Sequence, residues 1–141
     1  MKRIAIVLLC ACSHHSTGSP QADAAQPDAV AASTCTTGSP TKITFTRELG
    51  CGNDGSVEFC IPSNDAGVVS RVTAVSSTIT CAPGGGRAMC NDPALLLCTY
   101  PTAFPGQCEA DHGAMTSEVW AQMCSLSAFD EIHAIVPTIV D

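Results

Sequence analysis

Ile43-Thr44-Phe45-Thr46-Arg47-Glu48-Leu49, Gly50-Cys51-Gly52-Asn53-Asp54-Gly55 and Ser56-Val57-Glu58-Phe59-Cys60-Ile61 follow one another without a break. The first piece alternates in character with a period of two, the pattern of a half-buried strand. The second is glycine, asparagine and aspartate, the residues that tolerate tight turns. The third reads as a return strand. Together they predict a β-hairpin, with Cys51 and Cys60 flanking or entering it. Asn53-Asp54-Gly55 falls short of the D-x-[DN]-x-[DN]-G pattern of a calcium loop, so a plain turn is the reading.

Working toward the C-terminus, Pro62-Ser63-Asn64-Asp65 is a helix-start signal, with Ser63 or Asn64 as the N-cap. Val68, Val72, Val75 and Ile79 recur at helical spacing. β-Branched residues lose side-chain freedom in helices, so the expected helix is short, residues 64–76, with a strand over 78–81. Leu95-Leu96-Leu97-Cys98-Thr99-Tyr100 reads as a buried strand. A second helix opens at Met115 or Thr116 and runs to about Leu126, with Val119, Trp120 and Met123 facing inward and Cys124 stapling it. Residues 132–140 form a last β-rich segment. Pro137 interrupts it and assigns it to a sheet edge or a bend. Strands and helices mix without βαβ alternation, which predicts a small α+β fold of short antiparallel strands and two helices, spanning residues 35–141.

Upstream, residues 13–34 contain no aromatic residue and no Leu, Ile, Met or Cys. An Ala, Asp and Pro tract of this kind buries too little to fold and reads as a disordered tether. Before it, Lys2 and Arg3 precede the apolar run Ile4-Ala5-Ile6-Val7-Leu8-Leu9. That run is far short of the roughly 20 residues a membrane-spanning helix needs, and has the form of an export signal. The signal ends in Leu9-Cys10-Ala11-Cys12, which resembles the lipobox of bacterial lipoproteins: Leu at −3, a small residue at −1, then the cysteine that is lipidated. The resemblance covers only this stretch. It implies a signal peptide over residues 1–11, a lipid on Cys12 and a membrane partner through that lipid. Cys10 is the competing acceptor, but it would leave the bulky Leu9 at −1. An ordinary secretory signal ending in cysteine is the other reading. Ser13 follows where related Gram-negative lipoproteins carry Asp for inner-membrane retention, so the resemblance implies the outer membrane.

Cleavage before Cys12 simplifies the cysteine arithmetic. Ten cysteines become one anchor and eight others, Cys35, Cys51, Cys60, Cys81, Cys90, Cys98, Cys108 and Cys124, with Cys10 removed. Eight is even, as a closed disulfide framework requires, and an oxidising compartment suits it. Eight cysteines allow 105 pairings, so spacing leaves the connectivity open. No C-x-x-C occurs, which disfavours structural zinc, and no metal or other cofactor is expected. Cleavage also removes two of the six basic residues. Lys42, Arg47, Arg71 and Arg87 then face thirteen carboxylates. Four scattered cations cannot neutralise a phosphate backbone, which excludes nucleic acid as the expected ligand.

The chemistry-bearing candidates are few. Glu109, Asp111 and His112 form the densest ionisable cluster, a conceivable divalent-metal site or general acid–base pair for a small exported hydrolase, with a polar solvent-facing loop as the alternative; the helical spacing of two His ligands is absent. Gly84-Gly85-Gly86-Arg87 could offer backbone N–H groups and a guanidinium to an anion, but lacks the P-loop pattern. The same loop would be the tip of a disulfide-rich protease inhibitor. His14-His15 has no partners in the tether. His133 reads as a half-buried strand residue, and Trp120 as core. The best overall expectation is a non-enzymatic, lipid-anchored binding or interaction module of the cell envelope, with a protein or glycan partner.

Overall fold

The computed structural model describes residues 35, 36, 38–52, 55–110 and 112–138. The signal, Cys12 and the tether lie outside them, as do Asn53, Asp54 and Asp111. The domain is α+β. Its elements are β1 (Ser56–Pro62), α1 (Ala66–Val75), β2 (Thr80–Ala82), β3 (Leu95–Pro101), α2 (Ser117–Ser127) and β4 (Ile135–Pro137). The four strands form one antiparallel sheet in the order β2-β3-β1-β4.

The alternation of β1 sets the two faces of this sheet. Val57, Phe59 and Ile61 are fully buried and lie opposite Tyr100, Cys98 and Leu96 of β3. This face carries the core, which α1 supplies through Val68 and Val72 and α2 through Val119, Trp120, Met123 and Leu126. Glu58, Cys60 and Pro62 alternate with them and point to the opposite face, alongside Leu95 and Leu97 of β3. The long loop between β2 and β3 lies over that second face. A Cβ on its Gly86 would run into Glu58 and Leu97.

The predicted hairpin is not formed. β1 is a strand, but residues 43–49 are not its partner. They run as extended chain from a 3-10 turn at Pro40–Lys42 into a second one at Arg47–Leu49. Both edges of β1 are already occupied, by β3 along its whole length and by β4 at residues 57–59. The 43–49 segment finds other partners. Ile43 forms a lone parallel bridge with Ile135, and the Thr44 N–H donates to the Ile135 carbonyl at 3.0 Å. The Arg47 carbonyl accepts from Met115 N–H at 2.9 Å.

Smaller boundary shifts have local causes. The first helix begins at Ala66 because the Asp65 carboxylate accepts from Gly67 and Val68 N–H at 2.9 and 3.1 Å, making Asp65 the cap. Ser63 is engaged elsewhere, its N–H donating to the Ala94 carbonyl and its hydroxyl to that of Pro93. Thr116 caps α2. β4 is an edge strand containing Pro137, as the proline predicts.

All eight cysteines of the domain are paired: Cys35–Cys124, Cys51–Cys108, Cys60–Cys90 and Cys81–Cys98. The first three are nested one inside the next, and the fourth interlocks with the third. Cys35–Cys124 ties the start of the domain to α2. Cys60–Cys90 pins the β2–β3 loop onto β1. Cys81–Cys98 joins directly opposed residues of β2 and β3.

Candidate functional site

The structure brings Glu109 and His112 onto one exposed reverse turn and leaves Asp111 outside the described residues. The turn is closed by Glu109 N–H to the Ala114 carbonyl at 2.9 Å and Gly113 N–H to the Ala110 carbonyl at 3.0 Å. An antiparallel bridge between Cys108 and Met115 forms its base, and Cys51–Cys108 fastens that base to residues 47–52. His112 takes a left-handed backbone, φ 56°, at the tip. The Glu109 carboxylate is ion-paired with the Arg47 guanidinium. Arg47 is itself fixed, because its Nε donates to the Met115 carbonyl at 2.9 Å and most of its side chain is covered. The arrangement reads as a buttress between two loops: the guanidinium occupies the Glu109 carboxylate, which a general base would need to keep open toward substrate.

The glycine-rich loop does hold an anion, and it is an internal one. Arg87 and Ala88 N–H both donate to Oε2 of Glu58, at 2.5 and 3.3 Å. Glu58 is almost fully buried on the second face of the sheet. A buried carboxylate is costly unless hydrogen-bonded, and two backbone donors from a turn meet that need. Gly86 permits the geometry, with φ +54° and no room for a Cβ. The loop closes as a turn over 86–89, Cys90 N–H donating to the Gly85 carbonyl at 2.7 Å.

Beside this clasp lies a cavity of about 310 Å³, lined by Cys60, Pro62, Met89, Leu95, Glu131 and His133 among others. Its walls are mostly apolar. Met89 stands 73% exposed at its edge with φ 58°, a left-handed conformation uncommon for a side-chain-bearing residue. Glu131 is bonded to Arg71 at 2.6 Å, and that guanidinium also lies over the Phe129 ring. His133 is exposed at this cavity, ahead of β4, which corrects its reading as a half-buried strand residue: the strand begins only at Ile135. Trp120 is core, with its ring edge-on to Phe45.

Sequence reasoning missed Glu58, Met89 and the cavity. Glu58 looks like any polar residue on the open face of a strand. The available signal was the Gly84-Gly85-Gly86-Arg87 loop, whose donors call for an acceptor somewhere. Among the described residues no group of three or more His, Cys, Asp or Glu side chains is placed to hold a metal ion, and no helix is long and apolar enough to cross a membrane. No family model matches this chain, and no curated protein or solved structure matches it.

Proposed function

We propose that this chain is an exported lipoprotein whose disulfide-stapled α+β domain serves as a non-enzymatic binding or interaction module of the cell envelope. One observation carries the proposal: the eight cysteines of residues 35–141 pair completely among themselves. Four bridges in a domain of this size belong to an oxidising compartment. They also leave Cys12, in its lipobox-like setting, without a partner to find inside the domain. The acyl chains attached to such a cysteine would hold the protein durably at a membrane.

A binding role is favoured over hydrolysis because Glu109 is bonded to Arg47 on a solvent-facing turn, and because the described residues form a concave, mostly apolar surface beside Met89. Inhibition of a protease through Arg87 is less well supported. Residues 86–89 form a closed turn in which the Arg87 and Ala88 N–H groups are committed to Glu58 and that of Met89 to the Gly86 carbonyl, and they do not present an extended, substrate-like segment. The partner expected at the module is a protein or a glycan.

An intact-mass measurement on protein purified from membranes tests the proposal. The expected species starts at an acylated Cys12 and is eight hydrogens lighter than the fully reduced chain, as four disulfides require. An unacylated soluble product, or free thiols among the eight, overturns it.

A further inference from the structure

We propose that Met89 is a site of reversible oxidation, the one reactive sulfur that this domain offers to solvent. Every cysteine from 35 to 141 is held in a disulfide and has no thiol to oxidise. The other methionines of the domain, Met115 and Met123, are fully buried in the core, whereas Met89 is 73% exposed. Susceptibility of a thioether follows its access to solvent.

The position of Met89 gives the modification a consequence. It sits on a turn fixed from two sides, by the Glu58 clasp and by Cys60–Cys90, so its side chain is presented from a rigid base. That side chain forms part of the wall of the apolar cavity. With a two-electron oxidant such as hydrogen peroxide, the sulfur attacks one peroxide oxygen. The O–O bond breaks, the sulfur loses two electrons, and the departing hydroxide collects the proton to leave as water. The product sulfoxide replaces a flexible apolar group with a dipolar hydrogen-bond acceptor, changing what the cavity edge attracts without disturbing the core. Sulfoxide reductases of the thiol-dependent class would restore the thioether.

The test is independent of where the protein resides. Full-length protein is treated with graded hydrogen peroxide, and sulfoxide is located by tandem mass spectrometry. Met89 should oxidise at a rate within about threefold of free methionine, and Met115 and Met123 at least about tenfold more slowly until denaturant is added. The singly oxidised protein should keep its melting temperature within about 3 °C, as befits a surface change. Met89→Leu should take up no oxygen within residues 35–141 while folded. Oxidation of Met115 or Met123 alongside Met89 in the native protein overturns the proposal. So does a Met89 that stays reduced at doses that oxidise free methionine.

Discussion

Glu58 is the residue on which the second face of the sheet depends. Its carboxylate accepts from two backbone N–H groups of a part-buried turn, and without it both would lose that acceptor. Glu58→Ala should therefore cost about 1–3 kcal/mol in a urea unfolding titration. Glu58→Gln keeps an acceptor oxygen and loses only the charge, so it should cost about half as much. Equal losses for the two variants would mean that packing of the side chain, not its bonds, holds the loop. The sequence contained half of this arrangement. The glycine-rich loop could be recognised as a set of donors, but its acceptor lies 29 residues away from Arg87 on a strand that reads as ordinary. The Glu109 pairing was hidden for the same reason, since Arg47 is 62 residues distant.

Between elements, the clearest polar link from the sheet to a helix is Tyr100 of β3, whose hydroxyl donates to the Gln122 side-chain carbonyl on α2 at 2.6 Å. Burial raises the Tyr100 pKa above its ordinary value; a hydrogen bond with Ser76 works the other way, and the Glu118 carboxylate adds a further push upward. Neutral phenol is thus favoured in the folded state. As pH rises past about 10 the unfolded chain ionises first, so stability falls from there until the folded phenol also ionises. The chain has a single tyrosine. Its phenolate absorbance should give one transition with a midpoint above that of a denatured sample, and Tyr100→Phe should abolish the transition and weaken the alkaline loss of stability. Elements themselves were readable where their own periodicity matched a face. β1, β3 and both helices fall close to their expected positions because Val57, Phe59 and Ile61, or Val68 and Val72, repeat at the spacing of the surface they bury. Residues 43–49 alternate as well, yet alternation does not say whether a neighbouring strand has an edge free. That depends on β3 and β4, which arrive later in the chain.

For the molecule as a whole, the disulfides divide by the length of chain they close. Cys35–Cys124 spans 89 residues and Cys81–Cys98 spans 17. Each pair has one buried and one half-buried partner, so replacing either by alanines removes similar packing. Loop length should then decide. Chain-entropy arguments give about 4.5 kcal/mol for the long loop and about 3 kcal/mol for the short one. Urea titrations of Cys35→Ala/Cys124→Ala and Cys81→Ala/Cys98→Ala should show the first double variant as the less stable. The reverse order would point to native-state packing at β2 outweighing the constraint on the unfolded chain.

The same outer bridge bears on how the domain would carry a load. If the protein hangs from a membrane by its N-terminus, tension arrives at Cys35. There it passes through a covalent bond into α2, near the far end of the chain. Residues 36–123 lie within a closed covalent ring, so pulling on the leading end cannot peel the first turns and β1 away in sequence. The domain would be suspended from a hook on its last helix, with its cavity and the Met89 turn shielded from the pull.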